Sequence, residues 1–187
     1  MVAIRNLFTA ALALATPIAA ALSPEQMVTN IKEVTRKSQA LQGPAQSITI
    51  VNGPLIIVGQ GPFPQIITGF VDIVSTVTVA ISQMEGSAPV PAGAQSDAIF
   101  EAFREFVRVH QALLNILIGK SGLFATVPFI GQPVAAVLRQ IENVVDTIAF
   151  AIIDLVESRA ADLQREANNL GGTLDICINS YEGLQTK

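Results

Sequence analysis

Apolar residues recur through most of the chain at intervals of three and four positions, with polar residues between them. This spacing is the period of an amphipathic α-helix, whose apolar stripe packs against a core. The pattern therefore predicts five helices and no strand, with the helices over residues 23–43, 62–84, 96–118, 133–157 and 158–182.

Capping residues and helix breakers set the boundaries of the early helices. Ser23 is followed by a proline and begins the first helix, and Ser96 begins the third. Gly43-Pro44 is expected to interrupt the first helix, because proline removes a backbone hydrogen bond and clashes with the preceding turn.

Length sets the boundary between the last two helices. An unbroken helix from Pro133 to Gly171 would be about 57 Å long at ~1.5 Å per residue, which is too long for a domain of this size. We therefore predict a turn at residues 157–159, with Ser158 capping the fifth helix.

Residues 45–61 are the stretch with the least regular period. Asn52-Gly53 between two apolar runs is typical of a β-hairpin, but Pro54 and the lack of any other strand argue against a sheet. We interpret the stretch as a helical continuation followed by an extended apolar segment that covers the core. The predicted fold class is all-α, in one helical domain over residues 22–187.

Residues 1–21 have the parts of a secretory signal peptide. Arg5 supplies the positive charge, residues 7–15 form a short apolar core, and Ala19 and Ala21 fit the small-residue positions before a cleavage point. We therefore expect a secreted protein whose remaining chain contains no transmembrane segment.

The charge balance and the single cysteine narrow the possible partners. Without Arg5 the chain has 10 basic and 15 acidic residues, and this mild acidity argues against binding to nucleic acid or to anionic membranes. Cys177 is either a small buried side chain or a free thiol that joins two copies, so the oligomeric state stays open. We expect no cofactor.

Catalytic signatures are missing from the sequence. It has no Gly-x-Ser-x-Gly, no His-Glu-x-x-His and no glycine-rich phosphate loop. The only histidine, His110, and the only cysteine, Cys177, lie on different predicted helices, so they do not suggest a metal site or a nucleophile pair. We therefore expect a protein that is not an enzyme.

Three stretches together resemble a known family: GPLIIVGQGPFPQIITGFVDIVSTVTVAISQM at 53–84, FREFVRVHQALLNILIGKSGLF at 103–124 and DICINSYE at 175–182. They are similar to the fungal hydrophobic surface-binding protein A family, which includes the cell-wall galactomannoproteins, or antigenic mannoproteins. The resemblance implies a five-helix bundle with an elongated apolar interior cavity that takes up long-chain fatty acids such as arachidonic or palmitic acid. It also implies cell-wall association or a role in virulence for some members, and adsorption to hydrophobic surfaces with recruitment of hydrolases for others.

The predicted cavity wall consists of apolar residues on the inward stripes of the second, third and fourth helices. These are Phe70, Val74, Val77, Phe103, Phe106, Leu114, Ile141, Val145, Ile148 and Ile152. Periodicity alone fits a close-packed core equally well, and the resemblance is what favours a cavity. A helix of about 23 residues is about 35 Å long at ~1.5 Å per residue, which is long enough for an extended fatty acid.

A few polar residues on or beside these stripes are candidates for contact with a lipid head group. His110 could meet a carboxylate as a charged or hydrogen-bonded imidazole, which would strengthen binding at low pH, or it could be a neutral histidine satisfied within the core. Ser38, Thr147 and Gln140 are either further candidates or ordinary helix-edge polar residues. Phe150, among charged residues, either packs beneath a neighbouring element, which we favour, or belongs to an exposed patch.

Overall fold

The computed structural model describes residues 22–124 and 131–183, which form five α-helices and three short 3₁₀ helices. The α-helices are α1 (Pro24–Gln46), α2 (Pro62–Met84), α3 (Ala94–Ser121), α4 (Gly131–Leu155) and α5 (Ala160–Glu182). The 3₁₀ helices are Gly53–Val58, Gly122–Phe124 and Glu157–Arg159. These two ranges contain no strand, which confirms the all-α, five-helix prediction; the signal peptide predicted at residues 1–21 lies outside them.

Helix α1 begins at the predicted capping box and continues past the predicted interruption. The Ser23 hydroxyl accepts from the Gln26 N–H, and the Gln26 side chain accepts from the Ser23 N–H. The helix then runs through Gly43 and Pro44, so the expectation that these residues interrupt it is wrong. Pro44 is tolerated because it lies in the last turn, where the Ser47 N–H still donates to the Gly43 carbonyl at 3.0 Å.

The segment between α1 and α2 is not a hairpin, and α1 continues to Gln46, which confirms those parts of the prediction for residues 45–61; the expected extended segment is wrong. Gly53–Val58 forms a 3₁₀ helix. The Asn52 amide organises the turn before it: its oxygen accepts from the Thr49 N–H at 2.7 Å, and its nitrogen donates to the Ser47 carbonyl at 2.8 Å. These side-chain bonds replace the strand pairing that an Asn-Gly hairpin would need.

The turn between α4 and α5 lies where helix length predicts it. Glu157–Arg159 forms a single 3₁₀ turn, but Ser158 is exposed and does not cap α5, so that part of the prediction is wrong. Arg159 precedes the helix and pairs with Asp97 of α3 at 2.6 Å and with Asp162 at 3.2 Å. These ion pairs fasten the start of α5 to the start of α3.

The five helices form a closed ring in the order α1, α3, α5, α4, α2. Each helix packs mainly against two others, and α2 completes the ring against α1. Helices α1, α3 and α5 run in the same direction. Ser38, late in α1, lies beside His110, late in α3, and Leu117 near the end of α3 lies beside Tyr181 near the end of α5. Asn30 of α1 contacts Gln83 of α2, so α2 runs the opposite way. Every helix therefore turns one face toward a common interior.

The two ends of this ring differ in charge. The charged end contains the starts of α1, α3 and α5, with Glu25, Asp97 and Arg159 among its residues. The apolar end contains residues 47–63, the 3₁₀ turn Gly122–Phe124 and the last turn of α5. The sequence has no charged residue from 38 to 71, so the segment 47–63 presents apolar and uncharged polar groups; Lys120 and Glu182 are charged residues at its border.

The expectation that no segment is able to cross a membrane needs correction, because helix α2 is long and apolar enough to do so. By length and composition it qualifies, since it has 23 residues and a window of mean hydropathy 1.6. A core helix of a bundle passes the same test, and α2 packs between α1 and α4. Its only charged residue, Asp72, pairs with Lys37 of α1. Only 28% of the apolar window is buried, and Val71 and Val79 are half exposed, so part of its apolar surface faces outward.

Candidate functional site

The predicted wall residues converge on the interior of the ring. Ten of the twelve predicted ligand-binding residues are buried: Phe70, Val77, Phe103, Phe106, His110, Leu114, Ile141, Val145, Ile148 and Ile152. Val74 is half-buried at the edge of the core. Thr147, a candidate for contact with a lipid head group, is exposed and its hydroxyl donates to the Asn143 carbonyl at 2.7 Å, so it does not face the interior. Gln140 is likewise exposed and does not reach the interior.

Side chains fill the space between these residues. Phe70, Leu114 and Ile141 have no exposed surface, whereas a void that admitted water would leave part of them accessible. Clefts of about 520, 430 and 290 Å³ lie at the surface, and none is lined by a predicted wall residue. The predicted elongated cavity is therefore not open beside these residues, because large aromatic side chains such as Phe103 and Phe106, 6.1 Å apart, occupy the interior.

Helix α2 presents a slightly different face from the one the sequence predicts. The prediction places Val74 inward, whereas the structure buries the residue one position earlier, Ile73, together with Ile66 and Ala80. Gly69 explains the rotation: a Cβ there would lie 3.1 Å from Cγ of Leu41 and closer still to its methyl groups, so α1 packs directly against the glycine. Adjacent apolar residues such as Ile73 and Val74 lie at the edge of the inward stripe, and the sequence pattern does not show which of them is buried.

A buried polar pair lies in the middle of the ring. Ser38 of α1 and His110 of α3 have no exposed surface, and the Ser38 hydroxyl is 2.9 Å from Nδ1 of the histidine. The rings of Phe70 and Phe106 lie 6.2 and 5.4 Å from the imidazole. These four residues, His110, Ser38, Phe70 and Phe106, are named the middle layer.

The second nitrogen of His110 has no partner. Within residues 22–124 and 131–183, Nε2 of His110 is the buried side-chain nitrogen or oxygen that lacks a hydrogen bond. An unsatisfied buried polar group costs about 1–3 kcal/mol, so such a group is unusual in a stable core. The other buried polar side chains, such as Thr35 and Ser96, donate to backbone carbonyls.

Burial keeps the imidazole uncharged. It lowers the pKa of His110 from its ordinary value of 6.5 to about 4, with no charged neighbour contributing to the change. The interpretation of His110 as a charged group for a carboxylate therefore does not fit this environment at neutral pH. The site therefore contains a neutral imidazole whose Nε2 has no hydrogen-bond partner in the described residues.

A second polar aromatic residue lies at the apolar end. The Tyr181 hydroxyl donates to the Leu117 carbonyl at 3.0 Å, and burial raises the pKa of this tyrosine. Phe63 and Phe124 pack edge to face, with centroids 4.7 Å apart, and both lie within 6.5 Å of the tyrosine ring. Tyr181, Phe63 and Phe124 are named the end layer, and they close the interior at this end.

The sequence interpretation did not single out Tyr181, although a signal was present. The buried stripe of α5 consists of Leu163, Ala167, Leu170, Leu174, Cys177, Ile178 and Tyr181. The only tyrosine of the chain ends this helical pattern. Its position on an apolar stripe indicates a buried hydroxyl that needs a partner.

Cys177 lies on the same stripe of α5, inside the core. Its sulfur is 3.9 Å from the Leu114 carbonyl, and burial raises its pKa to about 12. Of the two interpretations of this residue, the small buried side chain is therefore the one that the structure bears out.

The apolar end also carries exposed apolar side chains outside the end layer. Ile50, Val51, Leu55 and Val58 are 68%, 81%, 40% and 66% exposed. Lys120 holds the segment to α3, since its ammonium donates to the Ile48 carbonyl at 2.8 Å. A large, uncharged and exposed apolar surface is typical of a site for apolar partners.

A cleft of about 430 Å³ runs between α4 and α5 on the outside of the ring. Phe150 lies in it and is 58% exposed, which corrects the prediction that it packs beneath a neighbour. Glu142, Asp146 and Asp175 surround it, and burial together with Asp175 raises the pKa of the first two. In the part of the chain that the structure describes, no group of three His, Cys, Asp or Glu residues could hold a metal ion.

Comparison with known proteins identifies the fold. No family model matches the chain, and no curated protein matches it. Ligand-binding domain 1 of the Penicillium marneffei MP1 protein, complexed with arachidonic acids, aligns with a TM-score of 0.70 over 82% of this chain and 94% of that domain. Domain 2 of the same protein, complexed with multiple arachidonic acids, aligns with a TM-score of 0.68 over 85% of this chain and 94% of that domain.

Both alignments have 12% sequence identity. At that level the likeness shows that the chain has the helical fold of these two domains. The resemblance to the hydrophobic surface-binding protein A family stays a prediction, and so does the expectation that the protein is not an enzyme.

Proposed function

We propose that this chain is a secreted fungal lipid-binding protein that holds a long-chain fatty acid, such as arachidonic or palmitic acid, among its five helices. The observation that carries the proposal is the likeness to two domains complexed with arachidonic acids, which extends over 94% of each domain. A ring of five helices with an apolar interior is a container of suitable chemistry for an acyl chain.

Binding requires the interior to open, because the aromatic side chains of the middle layer fill it. The driving force is the burial of ~15 methylene groups, which at ~0.8 kcal/mol each contributes a gross ~12 kcal/mol. Association costs about 4–15 kcal/mol, and displacement of packed side chains adds to that cost. A long acyl chain is therefore needed for net binding, which favours fatty acids over short apolar molecules.

The apolar end is the proposed route for the lipid. It has no charged residue between positions 38 and 71, and its 3₁₀ helix exposes Ile50, Val51 and Val58 to the outside. An acyl chain that approaches here meets an apolar surface before it reaches the end layer. The charged end has Asp97 and Arg159 paired across its rim, and its apolar cleft, beside Val28 and Ala98, has a volume of only about 290 Å³.

The test is lipid recovery combined with thermal stabilisation. Protein purified from its producing cells should release fatty acid on organic extraction, detected by mass spectrometry. Delipidated protein should rise in Tm with added arachidonic or palmitic acid, because a ligand that binds only the folded state stabilises it. Absence of both effects would refute lipid binding.

A matched pair of variants locates the lipid. Val145 is buried in the ring and Val79 is half exposed on α2, so Val145→Trp fills the interior while Val79→Trp adds the same bulk outside. We expect loss of fatty-acid stabilisation in Val145→Trp and its retention in Val79→Trp. Retention in both would place the lipid outside the ring.

A second candidate function is favoured by the exposed apolar segment. Residues such as Val51 and Val58, more than 60% exposed, suit adsorption to a hydrophobic surface and from there the recruitment of hydrolases. Adsorption to hydrophobic beads should then survive Val145→Trp, which leaves this surface unchanged. Loss of adsorption in that variant would favour the fatty-acid carrier alone.

Secretion and a place at the cell wall belong to the same proposal. N-terminal sequencing of protein from culture medium should begin at Leu22 or Ala21, and a start at Met1 would contradict removal of a signal peptide. A role in virulence would follow if the sequestered fatty acid is a host mediator, and the measurement is depletion of free arachidonic acid from host-cell medium by the purified protein.

A further inference from the structure

The contact between Ser38 and His110 determines which imidazole nitrogen carries the proton. The Ser38 hydroxyl lies 2.9 Å from Nδ1, and in the described residues this is its hydrogen-bond partner. A serine hydroxyl always has a hydrogen to donate, and Nδ1 is the acceptor within reach. We infer that Ser38 donates to Nδ1, so that the neutral ring has its proton on Nε2.

The Nε2–H group is a hydrogen-bond donor in an apolar environment. The rings of Phe70 and Phe106 lie beside the imidazole, and Leu114 follows it one turn along α3. The atom has no partner within residues 22–124 and 131–183. A natural core rarely leaves such a donor unsatisfied, which indicates that an acceptor reaches it in another state of the protein.

We propose that Nε2–H of His110 donates a hydrogen bond to an uncharged oxygen of the bound lipid, such as a hydroxyl, ester or protonated carboxyl oxygen. The proposal rests on the proposed function and adds the chemistry of the lipid group that the interior selects. Ser38 acts as a positioning residue, because its hydroxyl holds the proton on the nitrogen that faces the lipid.

The surroundings favour an uncharged oxygen over a carboxylate. A carboxylate that enters an apolar interior loses its hydration, and it needs a cation or several donors in compensation. The middle layer offers one neutral donor, and no charge acts on the imidazole. An alcohol or an ester loses much less hydration and accepts the same single hydrogen bond.

The first experiment uses the fact that His110 is the only histidine of the chain. In ¹⁵N and ¹H NMR of the delipidated protein at pH 7, its ring should be neutral with the proton on Nε2. Saturation with 1-hexadecanol should shift the Nε2–H resonance downfield and slow its exchange. A proton on Nδ1, or an Nε2–H signal that bound 1-hexadecanol leaves unchanged, would overturn the proposal.

The second experiment compares ligands and variants. The probes are 1-hexadecanol, methyl palmitate and palmitate, each measured at pH 8 by displacement of a fluorescent fatty acid. His110→Asn keeps a hydrogen-bond acceptor, its amide oxygen, near the position of Nδ1 and removes the donor at Nε2, whereas His110→Gln restores a donor near Nε2. We expect His110→Asn to weaken the alcohol and the ester about 5-fold, the effect of one net hydrogen bond, with palmitate unchanged and His110→Gln close to wild type.

The proposal would be overturned if His110→Asn weakened the binding of all three probes equally. It would also be overturned if the variant changed the affinity for none of them. If His110→Asn fails to fold, Ser38→Ala provides the second variant, since it should lower the Nε2–H population in the NMR spectrum and weaken 1-hexadecanol. Failure of the proposed function has a different result: no probe, palmitate included, would then bind the wild-type protein.

Discussion

The middle layer and the end layer each bury a polar aromatic residue in the same ring of helices, but only one of these residues is satisfied. Tyr181 donates to the Leu117 carbonyl at 3.0 Å, whereas Nε2 of His110 has no partner. A satisfied hydroxyl holds α5 to α3 and serves stability. An unsatisfied donor gives up stability, which indicates that the middle layer is adapted to receive a ligand and the end layer to close the ring.

The largest expected effect comes from removing an aromatic ring from each layer. Phe106→Ala in the middle layer and Phe63→Ala in the end layer should each lower the free energy of unfolding by about 3–5 kcal/mol, because both rings are buried and each leaves a cavity. The two variants should differ once lipid is present. Palmitic acid should restore more of the lost stability in Phe106→Ala, since that cavity adjoins the proposed final position of the acyl chain, whereas the end layer is passed only on entry.

The measurement is urea unfolding with and without saturating palmitic acid. Wild-type protein is the reference for the effect of lipid on an intact interior. Greater recovery in Phe63→Ala than in Phe106→Ala would assign the lipid to the end layer and remove the distinction between the two layers.

The second-largest expected effect is a decrease of about 3 kcal/mol in the free energy of unfolding at acidic pH. It comes from His110 of the middle layer and has no counterpart in the end layer. Burial lowers the pKa of His110 from 6.5 to about 4, so between these values the unfolded chain binds a proton that the folded chain does not. Above pH 6.5 the neutral His110 does not lower the free energy of unfolding. As the pH falls from 6.5 toward 4, the free energy of unfolding decreases by about 1.4 kcal/mol per pH unit. Tyr181 contributes nothing there, because burial raises its pKa.

The matched control for this acid effect is His110→Leu. Glu142 and Asp146 have raised pKa values and act in the opposite sense, favouring the folded state in acid, but they are present in both proteins. The difference between the two unfolding curves therefore isolates the histidine. Parallel pH dependence from 4 to 7 would show that the imidazole is charged or solvated in the folded state.

The sequence predicted the helices well because their apolar period is strong. The cap predicted at Ser23 is present, whereas Ser96 is the third residue of α3 and does not begin it. The inward stripe of α3, with Phe103, Phe106 and His110, lies where its spacing places it. The inward face of α2 was displaced by one residue at Val74, because Val74 and its neighbour Ile73 are both apolar. Its rotation depends on the close contact between Leu41 and Gly69, which no periodicity within α2 reveals.

The candidate site was predictable only in part. Position on an apolar stripe was enough to place His110 and Ser38 in the interior, but not to show that they contact each other across α1 and α3. The filled interior also lay beyond the sequence, because periodicity shows which residues are buried and not how tightly they pack. Thr147 was misplaced because it borders the stripe of α4, where one step around the helix separates the interior from solvent.

The smallest effect distinguishes the two polar residues directly. Tyr181→Phe should lower the free energy of unfolding by about 1 kcal/mol, because it removes one satisfied hydrogen bond and changes little of the packing. The double variant Ser38→Ala with His110→Leu should be neutral or slightly stabilising, since it replaces both partners of an incompletely bonded pair with apolar groups. Chemical denaturation at pH 7 measures both. A double variant that loses more stability than Tyr181→Phe would mean that the middle layer holds the fold together as the end layer does, and the contrast between a receiving layer and a closing layer would be lost.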